Sequence, residues 1–101
     1  MSPNGVRPAR AGDWPTLRAL QSELRDPTPS LLDAAASGVG VVLVSTADGD
    51  PVGYLLAVPG PDLVHLAELV VAPTHRREGR ATALVEAVAG RFEKSLRLAV
   101  A

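Results

Sequence analysis

The sequence predicts an α+β fold, a mixed and mostly antiparallel five-stranded sheet with three helices in the order β-α-α-β-β-β-α-β. Three observations lead there. Valine-rich runs of strand length, separated by Gly, Pro and Asp turns, fill the middle of the chain. Apolar residues at helical spacing flank them on both sides. The last unit reads strand–helix–strand, which places a helix on a face of the sheet.

Taken in order, Val6–Arg10 reads as a short edge strand, because Pro8 would interrupt a central ladder. Asp13 has the chemistry of an N-cap, and Pro15 sits in the first turn, where its missing N–H costs nothing. Trp14, Leu17, Leu20 and Leu24 give residues 14–25 a core-facing helical stripe. Ser30 with Asp33 resembles a capping box for a short helix 31–37, which Gly38 ends as a C′ residue. Val39–Thr46 and Val52–Val58 form a hairpin about the turn Ala47–Pro51. Pro59–Asp62 turns into a third apolar run, Leu63–Val71. Ala81, Leu84, Val85, Val88, Ala89 and Phe92 define one face of a strong helix through about Glu93. Leu96–Val100 is the last strand. Trp14 and Phe92 are expected in the core.

Composition narrows the function. The 101 residues are 47% hydrophobic and 21% charged, which suits one globular domain spanning residues 1–101. Such a short chain buries only about 60–65% of its unfolded surface, so modest stability is expected. There are no cysteines, which excludes disulfides, thiolate nucleophiles and Cys-based metal sites. With two histidines and no H-E-x-x-H spacing, no metal site is expected. The net charge of −1 gives no general reason to expect nucleic acid. No segment approaches the length needed to span a bilayer, and Met1–Gly5 lacks the features of a secretory signal, so a cytoplasmic location is expected.

The informative segment is Val70-Val71-Ala72-Pro73-Thr74-His75-Arg76-Arg77-Glu78-Gly79-Arg80-Ala81-Thr82-Ala83-Leu84. It runs from a strand, through a polar loop, into the start of the best helix. Free N–H groups and the helix dipole attract phosphate there. Gly79 lets a backbone approach a ligand, and Arg76, Arg77 and Arg80 add positive charge. On physics alone two readings stand, an anion site or an ordinary connection with solvated arginines. The nucleotide-hydrolysing P-loop and the G-x-G-x-x-G fingerprint are both absent.

Val71-Ala72-Pro73 followed by Arg76-Arg77-Glu78-Gly79-Arg80-Ala81 and a helix opening Thr82-Ala83-Leu84 resembles the signature of the GNAT superfamily of N-acetyltransferases. The opening V-R-P-A, Gly12-Asp13-Trp14-Pro15 and Val52-Gly53-Tyr54 extend the resemblance over essentially the whole chain. The resemblance implies acetyl-CoA as cosubstrate and no metal. It implies that the amides of Arg77, Glu78, Gly79, Arg80, Ala81 and Thr82 hold the pyrophosphate, with Arg76 shaping the loop. It also implies that Leu69, Val70 and Val71 pair with the pantetheine arm, and that the Val70 N–H polarises the thioester carbonyl.

An amine nucleophile must lose its proton, and the candidates on the same strand are His65 and Glu68. Three residues apart, they point to opposite faces of an unbroken strand. His65 is either a base or a half-buried strand histidine, and Glu68 either a base or a cross-strand partner. His75 reads as a loop-packing or phosphate-rim residue, and Tyr54 as structural. Relatives continue through a further helix and a final hairpin, which this chain lacks. Three readings stand, a naturally minimal enzyme, a subunit whose partner covers the open edge, or a truncated reading frame; an uncovered apolar last strand favours self-association, a homodimer through that edge. The expected function is acetyl transfer to a primary amine of an unidentified acceptor by direct attack. The alternative is a non-catalytic CoA-binding or regulatory module. Nucleic-acid binding lacks a basic face and stacking aromatics.

Overall fold

The structure is a computed structural model that describes residues 5–92 and the backbone of residues 95–98. It contains five strands, β1 (Gly5–Pro8), β2 (Val41–Ala47), β3 (Asp50–Pro59), β4 (Leu63–Val71) and β5 (Ser95–Leu98), and three α-helices, α1 (Trp14–Gln21), α2 (Pro29–Ala36) and α3 (Arg80–Arg91). The strands lie in sequence order across one sheet. β1 to β4 pair antiparallel, and β5 joins β4 in parallel over Leu63–Leu66. The α+β architecture and element order expected from the sequence are those observed. The expected extensions of α3 to Glu93 and of β5 to Val100 lie outside the described residues.

Local chemistry moves several boundaries. α1 stops at Gln21 because the next amides switch to shorter-range bonds, Glu23 to the Leu20 carbonyl and Leu24 to that of Gln21, both at 3.0 Å. Asp13 precedes α1 but does not cap it. Its carboxylate takes the Arg10 amide at 2.7 Å and the Arg7 guanidinium at 2.7 and 3.0 Å. The capping box at Ser30 does not form either, since α2 begins at Pro29, and Asp33 instead pairs with Arg18 at 2.6 Å. Gly38 does end α2, at φ +95, with its amide on the Ala35 carbonyl and that of Val39 on Ala34. The hairpin turn is the pair Asp48-Gly49, both at positive φ, which fits the right-handed twist of β2 and β3.

Two apolar clusters sandwich the sheet. On one face Leu17 and Leu20 of α1 and Leu32 of α2 pack on Val42, Val44, Tyr54, Leu56 and Val70. On the other, Leu84 and Val88 of α3 pack on Leu43, Leu55, Ala57, Val64 and Leu66. Each fully buried leucine contributes about 1.5–3 kcal/mol. Trp14 and Phe92 pack, partly buried, against the first and second cluster respectively.

β4 changes phase along its length. Leu56 faces Glu68 and Ala57 faces Leu66, so Ala67 is an extra residue, a bulge. Before it, Val64 and Leu66 face α3, and His65 therefore faces the α1–α2 side. After it, Val70 faces α1 and Glu68 bonds to Gln21 of that helix. His65 and Glu68 thus stand on the same face, not on opposite faces, because the strand is not unbroken.

Gly53 is held to glycine by this strand pair, since a Cβ there would lie 2.8 Å from the Val70 carbonyl oxygen. Gly53→Ala is expected to destabilise the protein by about 1–3 kcal/mol through overpacking. Gly90→Ala, in the exposed last turn of α3 with nothing within 4 Å, is expected to stabilise it by about 0.4–1 kcal/mol. Urea unfolding of the two variants checks the contrast.

The Arg7 hydrogen bonds hold the Asp13 carboxyl below the usual carboxylate range, against a smaller opposing effect of burial. A depressed folded-state pKa contributes stability that is present above the unfolded value, near pH 4, and is lost as pH falls through the lower folded value. Unfolding midpoints measured from pH 6 to pH 2 are expected to fall less steeply below pH 4 in Asp13→Asn than in the parent.

Candidate functional site

A cleft of about 440 Å³ opens between the end of β4 and the start of α3. Its walls are Leu69, Val70 and Val71 of β4, the loop residues His75, Arg76, Arg77 and Gly79, and Arg80, Ala81 and Thr82 of α3. Glu23 and Leu24, from the connection between α1 and α2, complete the lining. Of the cofactor residues anticipated from the sequence, only Glu78 is missing from this lining.

The loop leaves β4 through the 3₁₀ turn Pro73–His75 and enters α3 with two residues in the left-handed region, Arg77 at φ +64 and Gly79 at φ +77. Left-handed residues in such a turn are the backbone pattern from which an anion-binding nest is built. Among the described residues, no acceptor takes the amides of Arg77 through Thr82. The first helical amide with a partner is Ala83, which bonds to the Gly79 carbonyl at 3.0 Å. A Cβ at Gly79 would meet nothing within 4 Å, so the backbone there borders open space.

The three arginines have separate tasks. Arg80 Nη1 donates to Ser45 Oγ at 3.1 Å and to the Thr46 carbonyl at 2.9 Å, while its Nε donates to Glu78 at 2.9 Å. It fastens the start of α3 to the end of β2. Arg76 Nε donates to the Val71 carbonyl at 3.1 Å and ties the loop back to β4. Arg77 projects from the nest with an exposed side chain and no ion pair among the described residues. Glu78 is held below the ordinary carboxylate range, first by Arg80 and then by His75, whose Nδ1 lies 3.2 Å away. Its negative charge is thus matched by its own neighbours.

The β4 edge supplies a second set of backbone groups. Ala72 donates to the Val52 carbonyl at 2.8 Å, so Val70–Tyr54 and Glu68–Leu56 are the hydrogen-bonded pairs of the alternating ladder. Leu69 and Val71 stand in the intervening pairs, with their amides turned away from β3. Pairing with β5 covers only Leu63–Leu66, so among the described residues nothing in the sheet takes these amides. Among the described residues the free amide is thus that of Leu69, and that of Val70 is committed to β3. An unbroken strand in register with the Gly60–Leu63 bond would have turned Val70 outward; the bulge exchanges the two parities.

Neither base candidate lines the cleft. His65 is exposed before the bulge. Glu68 is buried and accepts from Gln21 Nε2 at 3.1 Å on both oxygens and from the Tyr54 hydroxyl at 2.9 Å. Tyr54 is fully buried, and burial followed by the charge of Glu68 pushes its hydroxyl far above the usual tyrosine range. Gln21 and the cleft wall from Glu23 and Leu24 were not anticipated from sequence. Gln21 falls one position beyond Leu20 in the helical stripe, and its burial depends on meeting a residue 47 positions away.

No helix among the described residues is long and apolar enough to cross a membrane, and no cluster of His, Asp and Glu among them could hold a metal ion.

Known structures share this arrangement. A GNAT family N-acetyltransferase from Escherichia coli in complex with CoA superposes with a TM-score of 0.76 at 22% identity, covering 90% of this chain and 57% of that one. A GNAT family acetyltransferase from Elizabethkingia anophelis with acetyl-CoA bound gives 0.76 at 19% identity, over 97% and 65%. A ribosomal-protein-alanine N-acetyltransferase from Brucella melitensis gives 0.77 at 18% identity, over 97% and 80%. The chain thus spans little more than half the length of the first of these relatives, and at such identities the likeness is one of fold. Sequence decides the family: residues 8–101 match the model of the acetyltransferase (GNAT) family, and the chain belongs to it.

Proposed function

We propose that this protein binds acetyl-CoA in the cleft between β4 and α3 and transfers its acetyl group to a primary amine. One observation carries the reading. Among the described residues, the amides of Arg77–Thr82 and the strand edge at Leu69 and Val71 have no partner, and both border the same cleft. The first set suits a diphosphate, because several aligned N–H groups at a helix start offer partial positive charge without needing a lysine. The second suits an extended arm that carries amide groups, which adds to a strand edge as another strand would.

Bound acetyl-CoA supplies an activated acetyl thioester. The chain's own residues do the rest. The nest and Arg77 hold the anionic end, while Arg76 keeps the loop against β4. The Leu69 amide, fixed by the sheet, is placed to donate to the thioester oxygen, where negative charge grows as the amine attacks. A preorganised donor of this kind lowers the barrier by about 3–4 kcal/mol. The acceptor enters from the side of Glu23 and Leu24.

A second reading is a CoA-binding module without turnover, and it is favoured by the absence of both His65 and Glu68 from the cleft lining. Thiol release measured with a panel of amines separates the two: release above the amine-free rate supports transfer, and tight binding with no release supports the module.

Binding itself is tested by calorimetric titration with acetyl-CoA. Gly79→Trp places an indole where the backbone borders open space, and it is expected to lower affinity at least about tenfold while the circular-dichroism spectrum persists. Equal affinity in the two proteins would remove the nest from the site.

A further inference from the structure

We propose that Glu68, gripped by Gln21 and Tyr54, is a positioning residue that sets the phase of β4 after its bulge and so turns the Leu69 amide into the cleft. The inference rests on the reading of Leu69 as the thioester's hydrogen-bond donor, but its structural half stands without it.

A bulge leaves one residue out of the ladder and lets the following segment adopt either parity. A slip of one residue reverses the faces of all that follow. The apolar residues around this bulge select poorly between the two. After it come Leu69, Val70 and Val71, any of which fits either apolar face. Glu68 is the polar residue of that stretch, and its surroundings are one-sided. On the α1–α2 face it meets the Gln21 amide and the Tyr54 hydroxyl, three hydrogen bonds of 2.9–3.1 Å inside a buried space. On the opposite face lies the cluster of Leu43, Leu55, Ala57, Val64, Leu66, Leu84 and Val88, which offers no side-chain donor. A buried carboxylate without donors is strongly disfavoured, so the segment after the bulge is confined to one parity. That parity commits the Val70 peptide to β3 and frees those of Leu69 and Val71.

Gln21 adds a second connection. Its Nε2 group also donates to the Thr28 carbonyl at 2.9 Å, so one amide ties β4 to the far end of the α1–α2 connection. That connection carries Glu23 and Leu24 to the cleft. The donor side and the acceptor side of the cleft are thereby fastened to one side chain.

The test uses the full chain in two measurements. Amide hydrogen exchange by NMR, without ligand, is expected to show Val70 protected at least about tenfold over Leu69 in the parent. Gln21→Leu is expected to shrink that contrast below about threefold and to lower kcat for acetyl transfer about tenfold or more, with KM for acetyl-CoA within about twofold. Glu68→Gln retains Oε1, which receives both Tyr54 and Gln21, and gives up only the second Gln21 bond at Oε2, so it is expected to keep most of the contrast and of kcat, whereas Glu68→Leu loses both. Should Gln21→Leu fail to fold, Tyr54→Phe, which removes one bond from a filled site, is read in its place. An unchanged contrast in the folded variants overturns the proposal, as does a Glu68→Gln protein that keeps the contrast yet loses kcat, which would mark the carboxylate's charge as the working feature. A parent that binds no acetyl-CoA defeats the functional reading alone, because the exchange contrast is still measured.

Discussion

A single extra residue in β4 decides which backbone groups this protein presents. Side-chain direction and peptide direction both alternate with period two along a strand, so inserting Ala67 reverses both for everything downstream. The reversal brings His65 and Glu68 to one face, seats Val70 in the α1–α2 core and leaves Leu69 and Val71 to offer their amides at the edge. Gly53 depends on the same event. Its missing Cβ is required because the Val70 carbonyl, turned toward β3 by the bulge, passes within 2.8 Å of where that atom would stand.

The loop into α3 obeys a different constraint but ends in the same cleft. Two left-handed residues, Arg77 and Gly79, turn the chain so that its amides face inward, and Arg77 adopts this conformation without being glycine. Such a residue costs about 1–2 kcal/mol, which the surroundings must supply. They do so through Arg76 on the Val71 carbonyl and Arg80 on Ser45 and Thr46, bonds that anchor the loop at both ends. Two of the three arginines that look like phosphate ligands in the sequence are therefore occupied in building the cradle, and the positive end of the cradle is largely backbone.

Much of this was legible in the sequence, and the failures share a cause. Element order, the helix end at Gly38, a hairpin turn within Ala47–Pro51 and the stripe centred on Leu84 and Val88 all follow from local periodicity and turn chemistry, although the turn itself is only Asp48-Gly49. The loop could be placed because strand, glycine and helix start are contiguous. The cap at Asp13 failed because Arg7 and the Arg10 amide take its carboxylate, and the box at Ser30 failed because α2 begins one residue earlier, at Pro29, and Asp33 pairs with Arg18. That the Val70 amide faces β3 while that of Leu69 turns away was not legible, because a bulge leaves no composition signal in L-A-E-L, an apolar run interrupted by one acid. Only tertiary contacts, with Gln21 and Tyr54, explain why that acid is inside.

Seen as a stability problem, Glu68 is a poor choice. Replacing a buried polar cluster by apolar residues of similar volume is often neutral or stabilising. An apolar residue at Glu68 would pack against Leu56 and Leu20 and would tolerate either parity of β4. The amides at Leu69, Val71 and Arg77–Thr82, without partners among the described residues, point the same way, for a fold selected for stability alone closes its strand edges and helix ends. These departures converge on one 440 Å³ space, between a buried polar lock and a cradle of free amides. The geometry is that of a protein whose ligand completes the hydrogen bonding its own chain leaves open, with stability gained on binding as the expected consequence.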